Sequence, residues 1–373
     1  MVIDGVSVGL DTFEIMKELT SAPAVTGFEE QRRKLIVEQF SKYCDSVSID
    51  VLGNVIGVMG DGDRSVMISA HYDQLGFMIK NVDSKGYASI INVGGWDQRA
   101  AYGLKLKIWV GNGPQDYVKG VISMAPPHVT SQGEREKVPS ITKMTLDFGA
   151  GSKEEAEKMG VLPGCICTPD SELDYLGKRG SDLVVGPSCD DVSAVVSLIV
   201  ALDELRKRPP KGIKVYVVAT VQEEVGSRGA IISGYNLNPW CTLNSDTTSV
   251  QAPDVSASIV GDIHLGKGPI ICLGPAFNKY IWELMMKTAE SKGIPHQRRG
   301  VPGRSGNDSW ELQVARGGAF CGLLSMPNRY MHSAIEVVSL SDIENTGKLF
   351  AYTAQALSET DFKHTVEVFN RKN

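Results

Sequence analysis

Five residues whose side chains bind divalent cations well occur in four short motifs and at one separate aspartate. They are His71 in Ala70-His71-Tyr72-Asp73, Asp190 in Cys189-Asp190-Asp191, Glu224 in Gln222-Glu223-Glu224, His332 in Met331-His332, and Asp246. Each is expected at the C-terminal end of a strand or in the loop after one, where open α/β sheets place their sites. Two cations acting together need a carboxylate that bridges them, plus one imidazole and one further carboxylate for each ion. The set fits that demand, with His71, Asp190 and Asp246 around one ion and Asp190, Glu224 and His332 around the other. Zn²⁺, Co²⁺ or Mn²⁺ would accept such ligands. Asp73, two residues after His71, is placed to hold the second imidazole nitrogen and fix the tautomer. Glu223 is then left over. A carboxylate beside a ligand but not itself ligating can take a proton from an activated water and return it to a leaving amine.

Each motif has a plainer reading when taken alone. Asp190-Asp191 could be the N-cap of the helix that follows, Glu223-Glu224 a solvated acidic pair, and His71 a satisfied core histidine. The catalytic reading rests on their occurring together, in order, in the same structural context. The remaining histidines, at 128, 264, 296 and 364, lack acidic clustering of that kind. Cys189 has no evident base and reads as structural, and Cys165 and Cys167 are too closely spaced for a zinc knuckle. Residues 94–97 and 303–306 read as tight turns rather than phosphate cradles, so no nucleotide site is assigned.

The elements that must position these residues follow from pattern. Residues 11–20 read as a short helix, and Thr26 reads as the N-cap of a second one carrying Leu35, Ile36 and Phe40. Residues 47–58 alternate around Gly53-Asn54 as a hairpin, and 65–70 form a short buried strand ending on His71. From 75 to 169 the chain changes to short β-like pieces (76–79, 89–93, 106–110, 117–122) broken by Gly, Pro and Asp turns. Then the α/β rhythm resumes: a helix over 191–208 stopped by Pro209-Pro210, a strand over 213–220, a strand ending near 242–246, a helix over 277–292, a strand over 319–326 and a C-terminal helix over 341–359 entered through Ser341-Asp342. The expected architecture is therefore a mixed-sheet α/β body, residues 1–74 and 170–373, interrupted by a β-rich insert over 75–169.

Composition narrows the function classes. The 373 residues are 42% hydrophobic and 22% charged, the profile of a folded chain. A net charge of −6 and no basic run longer than Arg206-Lys207-Arg208 argue against nucleic acid as a partner. No stretch approaches the length of a membrane span, and the first residues lack a signal-peptide pattern. Seven scattered cysteines suit a reducing, cytoplasmic setting better than a disulfide framework.

The ordered motifs resemble the tetrahedral aminopeptidases, a family of dinuclear-metal peptidases that includes glutamyl, leucyl and deblocking aminopeptidases and members called endoglucanase M. The likeness runs through residues 19–29, 71–76, 94–96, 190–191, 221–230, 266–269 and 329–336. It implies a zinc-aminopeptidase-like (phosphorylase/hydrolase-like) catalytic domain, with the β-rich insert serving in dimerisation. It implies assembly of dimers into a dodecamer that admits short peptides, and a cis peptide bond between Asp190 and Asp191. Position by position it supports His71, Asp190, Glu224, Asp246 and His332 as metal ligands, Glu223 as general base and Asp73 as their support. The chain departs from the family pattern at three places: Gln74 stands where an acid is usual, Val192-Ser193 replaces an arginine and a small residue, and Ser305-Gly306-Asn307-Asp308 replaces a Gly-Thr-Asp stretch. Rival readings are a metal-dependent deacylase or carboxypeptidase, and a silent peptide-binding scaffold. A glycosidase is weaker, because that chemistry mostly uses two carboxylates and no metal pair.

Overall fold

A computed structural model describes residues 10–360, together with the backbone of two short strands, Val2–Ile3 and Val6–Ser7. Its centre is an eight-stranded mixed sheet. Across the sheet the order is Gln297–Gly300, Ile270–Leu273, Phe320–Asn328, Cys241–Ser249, Arg64–His71, Ile213–Thr220, Val55–Met59 and Ser46–Ile49. The four inner strands from Phe320–Asn328 to Ile213–Thr220 are mutually parallel, so their C-terminal ends lie along one edge. His71 closes one of them and Asp246 lies near the end of its neighbour. Chain leaving the other two reaches Glu223 and His332 within a few residues.

Both faces of the sheet are covered, so strands such as Ile213–Thr220 are largely apolar, whereas Cys241–Ser249 carries Thr, Asn, Ser and Asp toward the site. On one face the helices Cys189–Lys207 and Leu340–Ser358 pack against each other and the sheet, in a core that includes Val195, Leu198, Leu202, Phe350 and Leu357. Leu198 and Leu202 are fully buried, as are neighbours on most sides of that helix, which explains a sequence with no polar stripe. The other face carries Arg228–Leu237 and a smaller cluster of Ile56, Met67, Val218, Ala230 and Leu312.

Between the strand ending at His71 and the one beginning at Leu183 the chain closes a six-stranded barrel. Its strands run in the order Thr145–Asp147, Ala88–Val93, Gly76–Val82, Ile166–Pro169, Lys105–Trp109 and Tyr117–Ile122. It has a core of its own, with Phe77, Ile79, Ile90, Leu106, Ile108 and Leu146 inside. Closure leaves no long unpaired sheet edge there. Among the described residues no helix is long and apolar enough to cross a membrane, and the seven cysteines are all free.

Two local expectations need correction. The second helix starts at Glu30 with Glu29 at its N-cap position, and the Thr26 hydroxyl donates instead to Asp73 Oδ2 at 2.8 Å. A long-range carboxylate thus outcompetes the local cap. The strand expected to stop near Asp246 runs to Ser249, because its parallel partner pairs with it through Asn328.

Candidate active site

The strand edge brings all seven singled-out residues together. His71 Nε2 lies 3.3 Å from Asp190 Oδ1 and 3.9 Å from Asp246 Oδ2, and His332 Nε2 lies 3.5 Å from Asp190 Oδ2. One atom from each of His71, Asp190 and Asp246 falls within 4.8 Å of the others, and the same holds for Asp190, Glu224 and His332. Asp190 belongs to both groups and presents one oxygen to each imidazole. It reaches this place through a turn outside the helix proper. Asp190 and Asp191 have non-helical dihedrals (ψ 106° and 33°) and are joined by a cis peptide bond.

The electrostatics follow from burial without compensating charge. Asp246, Glu224 and Asp191 are raised well above ordinary carboxylate values, first by burial and then by neighbouring carboxylates. Burial likewise pushes Glu223 up to about 8. Asp190 is the exception. Burial acts to raise it, but His332 and His71 together hold it below the usual range. Burial acts to lower His71, yet Asp190 and Asp73 more than offset that, and Asp190 takes His332 up to about 9. No hydrogen bond reaches Asp190 Oδ1 or Glu224 Oε1, although both atoms are buried. Two imidazoles, three carboxylates and orphaned buried oxygens in this density form a donor set short of positive charge. A divalent cation fits each cluster, because it would convert carboxylate repulsion into coordination.

Asp73 has a different geometry from the one the sequence suggests. The nearest acceptor to His71 Nδ1 is the Asp73 carbonyl at 3.1 Å, with the carboxylate Oδ1 at 3.4 Å. The carboxylate accepts the Glu223 N–H at 3.0 Å, the Glu224 N–H at 3.3 Å and the Thr26 hydroxyl. Asp73 therefore orients His71 through its main chain and pins the Glu223-Glu224 turn through its side chain. The barrel also reaches the site. Gly95 O lies 2.8 Å from His332 Nδ1, and a Cβ at Gly95 would come within 3.2 Å of the ring, so the absence of a side chain permits the approach. The turn over residues 94–97 is no phosphate cradle but a brace for an imidazole.

Three buried groups escaped the sequence reading. Asp308 accepts the Thr220 hydroxyl at 2.5 Å, and burial pushes its carboxyl up to about 6. Arg32 is wholly buried and bonds to Tyr72 O and Ser188 Oγ, next to His71 and the Asp190 turn, and to Gln74. Glu336 accepts main-chain N–H groups of Asp190 and His332. Spacing alone could not find them, since each has a partner at least 40 residues away: Tyr72 and Ser188 for Arg32, Asp190 for Glu336 and Thr220 for Asp308. Cys189 is buried, its thiol faces Gly186 O and Glu336 O, and burial holds it in the neutral form.

Fold and site together define a metal-dependent hydrolase. Residues 53–349 match the M42 glutamyl aminopeptidase family. The chain is 32% identical over 355 residues to the lysyl aminopeptidase of Pyrococcus furiosus, covering 94% of this chain and 99% of that one. It superposes with a TM-score of 0.84 on aminopeptidase APDkam598 of the archaeon Desulfurococcus kamchatkensis, at 32% identity over 94% of this chain and 99% of the other. The TET1 peptidase of Pyrococcus horikoshii, which can assemble into a tetrahedron or a large octahedral shell, gives 0.79 at 28% identity over 92% and 99%. The chain belongs to the M42 glutamyl aminopeptidase family, and its activity is that of a metal-dependent aminopeptidase.

Proposed function

We propose that the chain removes N-terminal residues from short peptides with a site holding two divalent cations, Zn²⁺, Co²⁺ or Mn²⁺, on His71, Asp190, Glu224, Asp246 and His332. The observation that carries this reading is the pair of clusters sharing Asp190. When bound, the ions supply Lewis acidity toward the scissile carbonyl and the attacking water. Glu223 acts as the general base, held beside the clusters by its N–H bond to Asp73 and left unused as a ligand. It takes the proton from water at one carboxylate oxygen and delivers it to the leaving amine. Its raised affinity for a proton suits a shuttle that must both accept and release one near neutrality. Asp73 keeps Glu223, Glu224 and His71 in register.

The same reading extends to the whole particle. Residues 1–74 and 170–373 form the catalytic domain, and 75–169, which contain the barrel, form the dimerisation insert. Dimers assemble into a dodecamer, a reading supported by the dodecamer of the similar PhTET1-12s, 30% identical with a TM-score of 0.80. Seven free cysteines support a cytoplasmic location, and the net charge of −6 supports peptides rather than nucleic acid as partners.

The test is hydrolysis of free and N-acetylated short peptides before and after chelation, with Zn²⁺, Co²⁺ or Mn²⁺ restored and Glu223→Gln alongside. Free peptides should be trimmed only with metal present and acetylated ones should resist. Glu223→Gln should keep its metal while kcat falls by about 10²–10⁴. Equal turnover of acetylated peptides would instead favour a deacylase or a carboxypeptidase, and a metal-loaded protein that cleaves none would favour a scaffold.

A further inference from the structure

Glu336 is 98% buried and belongs to neither cluster, yet both of its oxygens are engaged. Oε2 accepts the Asp190 N–H at 2.8 Å and Oε1 accepts the His332 N–H at 2.9 Å. These two residues stand far apart in sequence and belong to separate loops. The strand pairing explains how they meet. Glu336 lies opposite Gly186 at the end of the antiparallel pair formed by Leu183–Gly186 and Glu336–Ser339. From that pair one chain runs forward to Asp190 and the other runs back to His332, so a side chain at position 336 spans both turns. His332 itself sits at φ +65°, a left-handed conformation that a non-glycine residue keeps only when something holds it.

We infer that Glu336 is a positioning residue that clamps the main chains of Asp190 and His332, and thereby sets the cation site made by Asp190, Glu224 and His332. The inference rests on the ligand roles proposed above. Two N–H donors converging from different directions on one side chain require two oxygens, which a carboxyl group has and an amide does not. Gln at 336 keeps the size but offers only one acceptor, so one ligand loop is released and a second donor is brought against a donor. The site of Asp190, Glu224 and His332 holds both clamped residues, so it loses a constraint whichever loop is released, whereas the site of His71, Asp190 and Asp246 is touched only through Asp190 and keeps all its constraints when the released loop is that of His332. The two sites should therefore respond unequally, which uniform loosening of the fold would not produce.

The experiment is a calorimetric titration of the metal-free protein with Zn²⁺ or Co²⁺, for wild type, Glu336→Gln, His332→Ala and the double variant, with thermal unfolding of each in parallel. Wild type should take two ions. Glu336→Gln should weaken one binding event by about 10–100-fold, the range for residues that orient a ligand, with the other changed far less. It should add little on the His332→Ala background, where that site is already lost. Unchanged affinities, or both events weakened in step with a lowered melting temperature, would overturn the inference while leaving the ligand assignment standing. A wild type that takes no second ion would sink the ligand assignment instead. Hydrogen exchange on wild type covers the case in which Glu336→Gln fails to fold. The Asp190 and His332 amides should exchange slowly in the metal-free protein, and fast exchange of either would end the clamp.

Discussion

At the scale of residues, the site depends as much on acceptors for main-chain N–H groups as on the groups facing the clusters. Asp73 illustrates this. Its carboxylate receives two N–H donors and a hydroxyl, from Glu223, Glu224 and Thr26, and it is fully buried. Asparagine fits the space but has one acceptor oxygen for three donors. Asp73→Asn should therefore shift the Glu223-Glu224 turn and lower metal affinity by about 10–100-fold. Equilibrium dialysis against a competing chelator measures this. Wild-type affinity in that variant would show that the turn keeps its place without the carboxylate.

At the scale of elements, Arg32 ties four segments together. Its guanidinium donates to Leu19 O in the last turn of the first helix and Ala22 O just past it, to Tyr72 O after the strand bearing His71, to Ser188 before the Asp190 turn, and to the Gln74 side chain. These acceptors are neutral, and burial draws its pKa down to about 9 despite the Asp73 charge nearby. A buried cation hydrogen-bonded to neutral oxygens is satisfied in geometry but poorly compensated in charge. The departure at Gln74 thus sits on a packing junction. Gln74→Glu would give Arg32 a charged acceptor in place of an amide, and the denaturation midpoint should rise by the equivalent of about 1–3 kcal/mol at neutral pH. A midpoint that stays put or falls would mean that desolvating the new carboxylate costs as much as the pairing returns.

At the scale of the whole molecule, buried carboxylates make stability depend on pH. Asp342, in the first turn of the C-terminal helix, accepts the Gly266 and Gly268 N–H groups and links the 266–269 turn to that helix. Burial still raises its carboxyl from 3.8 to about 6. The folded state then binds the proton more tightly than the unfolded state. The stabilisation is fully present below about 4 and is lost as pH rises through about 6, the sign expected for a raised acid. Asp342→Asn should flatten the difference in unfolding free energy between those pH values, by up to about 3 kcal/mol from the two-unit shift. Denaturant titrations of both proteins at a series of pH values would measure it, and parallel pH profiles would refute it.

Much of this was legible in the sequence. Buried strands such as residues 65–70 and 213–220 announce themselves by their apolar content, and the glycine-punctuated short strands of 75–169 announce a change of architecture. Metal-ligand chemistry is a property of residue type, so His71, Asp190, Glu224, Asp246 and His332 could be named as candidate ligands before any geometry. Only the folded structure decided that Asp190 offers one oxygen to each imidazole, that Thr26 serves Asp73 rather than its own helix, and that Arg32, Asp308 and Glu336 attend the site. The reason is physical. Periodicity and residue chemistry are local and survive in a linear string, whereas a hydrogen bond such as Glu336 to the Asp190 N–H spans 146 residues and exists only after strand pairing has fixed the register.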